Sequence, residues 1–285
     1  MRKYEALGRV NFAYFFRIRG VMNKNSWLPS LMYVLLGYAI AANFNPFILV
    51  VNTIAIASIF MCIFALNNLF DYWIDKERNY IGCLINKKEM SFKKGVAYCL
   101  LPLTALFLLA FLPSISVVLA ILFLGFGIAY SLPPFRLKTR KRGWLVNPLC
   151  AALVFLEGFF AVSGNPRVEV IMLTVIILLF HSYAEGLHIL TDYHLGEKAI
   201  NPEKTKALIR RIVLLGVIVS AGFFLFNPVF LVTILFSLIR LLYLKNIDKR
   251  ALYRLRFRVL EPFISPIYSA YELAIYGILG VLNVV

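Results

Sequence analysis

One stripe of oxygen-bearing side chains stands at the end of a long apolar run. Asn67, Asp71 and Asp75 follow one another at intervals of four residues, so on a helix all three lie on one face. Two carboxylates one turn apart repel each other unless a cation lies between them, and carboxylate and amide oxygens suit Mg²⁺. The stripe favours a magnesium site completed by water and phosphate oxygens. The alternative is that these residues simply begin a solvated loop.

A second stripe ends another apolar run. Its four ionisable side chains are spaced 0, 4, 7 and 11 and again share one helical face: His181, Glu185, His188 and Asp192. Ionisable groups inside a membrane usually line a cavity or a functional pathway. Two other interpretations stay open, namely simple packing of hydrogen-bonded side chains and a transition-metal site of imidazole and carboxylate ligands.

A basic segment follows a third apolar run, which ends at Tyr130 and Ser131. The paired prolines Pro133 and Pro134 end the helix, and Arg136 and Lys138 come directly after them. Arginine and lysine are the usual partners of phosphate groups. The segment therefore indicates a phosphate-binding site, unless its cations only anchor the chain at the membrane surface.

The composition decides which elements must position these groups. The chain has 285 residues, is 61% hydrophobic and 15% charged, and its mean hydropathy is +0.81. Soluble domains are nearer half apolar and a quarter charged, so a soluble globular enzyme, a disordered chain and a secreted disulfide scaffold are excluded. The four cysteines form no CxxC pair, and we expect reduced packing thiols without a metal or a disulfide framework.

The apolar runs predict an all-α polytopic membrane protein. Each run has the length that crosses a hydrocarbon core of about 30 Å. We expect one transmembrane domain over residues 1–285 with nine helices around a central cavity, with spans near 27–44, 47–69, 96–112, 114–131, 146–163, 168–190, 211–227, 228–244 and 263–283.

The basic residues support this topology. With nine spans, 29 of the 30 Lys and Arg residues fall on one side, and the positive-inside rule makes that side cytoplasmic. The N-terminus is then cytoplasmic and the C-terminus outside. The polar lead before the first span is too long for a typical signal peptide, so we expect no cleavage. The net charge of +16 is explained by orientation and by attraction to anionic membrane lipid, without nucleic acid.

All three polar features lie at cytoplasmic ends of even-numbered spans. The two acidic stripes are carried by the second and sixth spans, and the basic segment follows the fourth. This arrangement indicates two similar halves, each of which delivers an acidic helix end to one cavity at the cytoplasmic face. A diphosphate could not bind two carboxylate clusters directly, so divalent cations would have to bridge them.

The pattern resembles the UbiA superfamily of intramembrane prenyltransferases. Its first motif, Asn-x3-Asp-x3-Asp, is matched by Asn67, Asp71 and Asp75. The segment from Tyr130 to Lys138 is similar to the form found in chlorophyll-synthase-like and archaeal lipid members. The resemblance covers nearly the whole chain and implies Mg²⁺-dependent transfer of an isoprenyl group from a prenyl diphosphate to a lipophilic acceptor, with a lipid or isoprenoid acceptor favoured.

The resemblance also implies roles for individual residues. It makes Asp71, Asp75 and Asp192 catalytic. The residues it implies as metal ligands are Asn67, Asp71, Asp75, Asp192 and Glu197. Those it implies for diphosphate binding are Tyr130, Arg136, Lys138 and Lys198, and those left for metal support or for the acceptor are His188, Glu185 and His181.

Two departures from the family pattern leave alternatives open. The second motif usually has two aspartates four residues apart, but Gly196 stands four residues after Asp192, and Glu197 comes one residue late. Either Glu197 reaches the second metal through a glycine-permitted turn, or Asp192 and His188 hold that metal weakly. The Arg-Pro-rich run that many members carry after the first motif is replaced by residues 79–88, where Lys87 and Lys88 could supply the charge.

Three rival functions fit parts of the pattern. An ion-coupled secondary transporter would also have similar halves with ionisable helix ends. A membrane alcohol-phosphotransferase would carry a metal-bound aspartate motif. A family member that binds prenyl lipid with weakened catalysis would explain Gly196. The sequence carries no signal for the oligomeric state.

Overall fold

The computed structural model describes residues 11–18, 27–41, 43, 45–72, 80–139, 143–194 and 200–248. The predicted ninth span, residues 263–283, lies outside these ranges. So do four residues that carry or complete the predicted motifs, namely Asp75, Gly196, Glu197 and Lys198.

The described residues are helical, as the hydropathy pattern predicts. Ten α-helices follow one another: α1 (Phe12–Phe15), α2 (Leu31–Ile40), α3 (Pro46–Phe70), α4 (Tyr80–Asn86), α5 (Phe92–Leu100), α6 (Ser114–Ser131), α7 (Val146–Phe160), α8 (Val168–His194), α9 (Pro202–Phe224) and α10 (Leu231–Tyr243). Short 3₁₀ segments adjoin them at Leu28–Ser30, Leu101–Phe111, Leu137–Thr139, Gly143–Leu145, Pro228–Phe230 and Leu244–Asn246.

Six helical segments of the described chain are long and apolar enough to cross a membrane. They are Pro46–Phe70, Phe92–Phe111, Ser114–Ser131, Gly143–Phe160, Val168–His194 and Pro202–Phe224. They coincide with the second to seventh predicted spans. The first predicted span is shorter than expected, since α2 has 10 residues, and the eighth contains the 13-residue α10. Side chains such as Phe107, Ile218 and Leu225 are 68%, 68% and 83% exposed, which is typical of a surface that faces lipid.

Helix starts follow local sequence signals. The side chain of Asn45 accepts a hydrogen bond from the backbone of Ile48, with Pro46 in the first turn of α3. Asn201 caps α9 in the same way ahead of Pro202. Side-chain caps satisfy backbone N–H groups that a helix start leaves without partners, and proline is tolerated in the first turn.

Two glycines bring α2 and α7 into backbone contact. A Cβ on Gly37 would lie 2.1 Å from the backbone oxygen of Phe155, and one on Gly158 would lie 2.2 Å from that of Val34. Small residues allow such close approach of helices in membranes. Helix α7 packs against α2, α6 and α8, and α9 packs against both α8 and α10.

A buried carboxyl group ties α7 to α6 away from the polar helix ends. Glu157 is fully buried, and Ser116 Oγ donates a 2.6 Å hydrogen bond to its Oε1. A charge in an apolar helix is costly unless it is paired or neutralised. The pair stabilises contact between two membrane-spanning helices.

The polar ends of four helices meet at one end of the bundle. Helices α3, α6 and α8 end there, and α7 begins there. Direct side-chain contacts join the segment after α6 to the end of α3, and the start of α7 to α8. Asn67, Asp71, Arg136 and Lys138 therefore lie close together at this end of the bundle.

Candidate functional site

The end of α3 presents two oxygen-bearing side chains on one face. Asp71 follows the last helical residue, and its N–H donates to the carbonyl of Asn67 at 3.0 Å. This last turn places the amide of Asn67 and the carboxylate of Asp71 one above the other, as the four-residue spacing predicts.

The basic segment after α6 folds back onto these oxygens. Lys138 Nζ donates to Asn67 Oδ1 at 2.9 Å and forms an ion pair with Asp71 Oδ2. Arg136 Nη2 lies 3.2 Å from Asp71 Oδ1, and Ser131 Oγ donates to Asn67 Oδ1 at 2.9 Å. Arg136 has φ 36°, a left-handed conformation that is uncommon for residues other than glycine. The segment is thus tightly turned where its cations meet the acidic helix end.

The second stripe lies along α8. Asn147 Nδ2 donates to Glu185 Oε2 at 2.8 Å, and Glu185 is buried. His188 Nδ1 lies 3.8 Å from Asp192 Oδ1, one turn closer to the helix end. The ring of His181 contacts that of Tyr33 with centroids 5.1 Å apart. The stripe therefore runs from an aromatic environment at His181 to a polar one at Asp192.

The two stripes face one cavity of about 360 Å³. Asn67 lines it from α3, Tyr130 from α6, Asn147 from α7, and Glu185 from α8. Tyr130 forms a hydrogen bond with the side chain of Asn147, and its hydroxyl lies within electrostatic reach of Glu185, Asp192 and Asp71. Asn67 of the first stripe and His181, Glu185 and His188 of the second thus share one pocket, whereas Asp71 and Asp192 lie beyond its lining.

Several side chains of the site were not singled out from the sequence. Arg17 lines the cavity; its guanidinium donates to Asn68 Oδ1 and lies 5.4 Å from the centroid of Phe64. Ser131 and Asn147 hold Asn67 and Glu185 in place. No spacing pattern marks these three residues. Glu157, by contrast, could have been noticed as an acid inside an apolar run.

The described part of the chain contains only part of the predicted metal-ligand set. No three His, Cys, Asp or Glu side chains converge on one point within it. Asp75 and Glu197, which would add carboxylates, lie outside the described ranges. The four cysteines, all described, are free thiols.

The oxygens at the end of α3 nevertheless fit a hard cation. Asn67 Oδ1 and Asp71 Oδ2 both contact the single ammonium group of Lys138, so they converge on one positively charged position. Mg²⁺ is commonly bound by one or two carboxylates together with water and substrate phosphates. The residues present therefore fit a magnesium ion.

Comparison with solved structures identifies the architecture. A UbiA homologue from Archaeoglobus fulgidus, bound to DMAPP and Mg²⁺, superposes with a TM-score of 0.76 at 20% sequence identity, over 96% of this chain and 99% of that one. The chain therefore has the UbiA fold. A further structure of a UbiA homologue from the same organism gives a TM-score of 0.75 at 19% identity, with 95% and 100% of the two chains covered.

The UbiA fold recurs in a third solved structure. This structure, of digeranylgeranylglyceryl phosphate synthase in membranes, matches with a TM-score of 0.67 at 16% identity, over 96% of this chain and 97% of that one. No sequence model of a protein family matches the chain, and no curated protein matches it in sequence. The resemblance predicted from the motifs is thus confirmed at the level of the UbiA fold, and the chain is an all-helical, multi-pass integral membrane protein.

Proposed function

We propose that this protein transfers an isoprenyl group from a prenyl diphosphate to a lipophilic acceptor, in a Mg²⁺-dependent reaction at the cytoplasmic face of the membrane. The single observation that carries the proposal is the cavity between α3 and α8. Glu185 and His188 line its polar end from α8, and Asn67 lines it from α3 and contacts Lys138, which pairs with Asp71. Its deeper lining is mostly apolar and aromatic.

The polar end suits a diphosphate and its metal ions. Asn67, Asp71 and Asp192 would hold Mg²⁺, together with the predicted ligands Asp75 and Glu197. Bound there, Mg²⁺ neutralises the negative charge that develops on the leaving diphosphate. Arg136 and Lys138 already lie on Asp71, and they can turn to the phosphate oxygens without leaving the site. Charge-assisted contacts of this kind stabilise the departing group most when its charge is greatest.

The apolar interior suits the prenyl group. When the allylic carbon–oxygen bond loosens, positive charge develops on the prenyl carbon and must be kept from water. Faces of Tyr33, Phe60, Phe64 and Phe123 line the cavity, and aromatic faces attract cations. The protein therefore supplies an electron-rich wall where hydrolysis would otherwise compete.

The structural neighbours support the class of donor. Two UbiA homologue structures contain Mg²⁺ together with DMAPP and with GPP respectively, and the fold is shared over nearly the full length of both chains. The similarity of the Tyr130–Lys138 segment to lipid-directed family members favours a lipid or isoprenoid acceptor. Glu185, His181 and His188 are the proposed acceptor-side groups, and Lys198 is a further proposed phosphate ligand.

A product assay tests this function. The purified protein is incubated with Mg²⁺, labelled prenyl diphosphates of several lengths and a panel of lipophilic acceptors, and products are identified by mass. Asp71→Ala and Asp75→Ala should abolish turnover while the protein still inserts in the membrane. Glu203→Ala is the matched control, since it removes an exposed carboxylate that pairs with Lys206 away from the cavity.

The outcomes separate the candidate functions. Full activity in the presence of a chelator, or in both aspartate variants, would refute the metal-bridged mechanism. Donor binding without any product from the panel would favour the prenyl-lipid-binding alternative. Substrate flux into liposomes without transfer would favour a transporter.

A further inference from the structure

The cavity has a measurable depth along the helix axes. Its lining runs from Asn67 to Phe60 on α3, from Tyr130 to Phe123 on α6, and from His188 to His181 on α8. Each interval is seven residues, which corresponds to about 10 Å at 1.5 Å per residue. The polar end is therefore separated from the deepest lining residues by about two helical turns.

Among the described residues, two aromatic rings line the inner end of the cavity. The rings of Phe60 and Phe123 meet edge to face, with centroids 4.8 Å apart. Trp27 stacks on Phe60 from behind at 5.7 Å and is itself 2% exposed. Ile56, one turn beyond Phe60 on α3, and Phe155 on α7 belong to the same buried core as the two rings and have no exposed surface. We call the Phe60–Phe123 pair the aromatic floor of the cavity.

The donor chain must fit between the polar end and this floor. An isoprene unit advances a chain by four carbon–carbon bonds of about 1.5 Å each, or roughly 5 Å along the chain. A depth of about 10 Å accommodates about two such units once the diphosphate is held at the polar end.

We propose that Phe60 and Phe123 set the length of the prenyl donor, and that they restrict it to about two isoprene units. This inference rests on the proposed function of the cavity. It makes the two phenylalanines specificity-determining residues that act on the tail of the donor, away from the diphosphate.

A binding series tests the inference without knowledge of the acceptor. Thiolodiphosphate analogues that carry one to four isoprene units are titrated in Mg²⁺ into the purified full-length protein, and affinity is measured by calorimetry. We expect the two-unit analogue to bind about tenfold or more tightly than the one-unit analogue, because a further unit is buried. The three-unit and four-unit analogues should bind more weakly than the two-unit analogue.

Removing the Phe123 ring should shift the preferred length of the donor to a longer chain. Phe123→Ala should improve binding of the three-unit analogue by about tenfold while leaving the one-unit analogue unchanged, because only the deep end is enlarged. Leu122→Ala is the matched control, since Leu122 is the neighbouring residue on α6 and is 44% exposed on the outer surface. If Phe123→Ala does not fold, Phe123→Leu and the opposite change, Ala151→Leu, test the same point. Ala151 lines the cavity, and the larger side chain should weaken the two-unit analogue more than the one-unit analogue.

The possible results distinguish failure of the proposed function from failure of the inference about donor length. If no analogue binds in Mg²⁺, the proposed function fails and the length inference fails with it. If analogues bind but the four-unit analogue binds at least as tightly as the two-unit one, the proposed function survives and the floor is refuted. An unchanged length preference in all folded cavity variants would also refute it.

Discussion

Lys138 offers a test in which two measured quantities should move in opposite directions. Its ammonium group lies on Asn67 and Asp71, the two residues that we propose to bind Mg²⁺, and the side chains of Lys138 and Asp71 are each 15% exposed. In Lys138→Met the side chain stays unbranched and keeps most of its length, but it loses its ammonium group and its charge. The ion must displace Lys138 before it reaches Asp71, whereas the diphosphate needs Lys138 as a partner.

The size of the effect follows from the ion pair. Opposite charges about 3 Å apart attract by roughly 5 kcal/mol at an effective dielectric constant near 20. Desolvation offsets part of this, and truncating one partner of a desolvated charge pair typically costs about 2–5 kcal/mol. We therefore expect Lys138→Met to raise the affinity for Mg²⁺ in the absence of donor by about tenfold or more, since each 1.4 kcal/mol is a factor of about ten. Turnover at saturating Mg²⁺ should fall by about 100-fold, because a contact to the leaving group is lost.

The assay combines two titrations. In the first, Mg²⁺ is added to the donor-free protein and the thermal unfolding midpoint is measured. In the second, the initial rate of transfer is measured at increasing Mg²⁺ concentration. Lys93→Met is the matched control, because Lys93 is an exposed lysine on α5 and its loss changes the net charge equally. Unchanged metal affinity together with unchanged turnover would refute the reasoning and leave Lys138 as a membrane anchor.

Three further predictions address the metal, the buried acid and the helix contact. Asp71→Asn keeps an oxygen and the shape but removes the charge, so turnover should fall by about 100-fold or more and excess Mg²⁺ should restore little of it; near-normal initial rates would contradict the metal-binding role. The free energy of unfolding of Glu157→Gln should lie within about 1 kcal/mol of the wild-type value, whereas that of Glu157→Leu should be lower by about 1–3 kcal/mol because Ser116 loses its acceptor. Denaturant titration measures both values, and equal losses in the two variants would show that the charge itself is required. Gly37→Ala should lower the free energy of unfolding by about 1–3 kcal/mol because its Cβ would meet the backbone of α7. Gly125→Ala, whose Cβ would have no atom within 4 Å, should leave the unfolding midpoint unchanged or slightly raised, because alanine favours the helix more than glycine does.

Much of the fold could be predicted from the hydropathy of successive segments of the chain. The runs that became α3, α6 and α8 were located by hydropathy alone, and α6 begins and ends at the predicted residues. The shorter α2 and α10 were less well predicted, because hydropathy measures whether a segment prefers lipid and says little about where its hydrogen bonding ends. The long 3₁₀ continuation of α5 at Leu101–Phe111 has no hydropathy signal of its own.

The candidate site also has features that could be predicted from the sequence and contacts that could not. The four-residue spacing of Asn67 and Asp71 predicted a shared face, because helical periodicity is a local property. Charge placement predicted that Arg136 and Lys138 would lie at the same membrane face. The contacts made by Ser131 and Asn147 could not be predicted, since each joins residues that are distant in the sequence.

The sequence by itself determined which residue types the candidate site contains: oxygen-bearing side chains of the kind that suits Mg²⁺, cationic side chains of the kind that suits phosphate, and an apolar helical setting. Those properties depend on residue types, on helical periodicity and on the placement of charges, all of which are given by the linear sequence. The tertiary structure alone decided that Lys138 contacts Asp71, that residues of α3 and α8 line one cavity, and that the rings of Phe60 and Phe123 meet at that cavity. These facts depend on which helices pack together and at what distance, and glycines such as Gly37 and Gly158 set that distance only when the opposing backbone is in place.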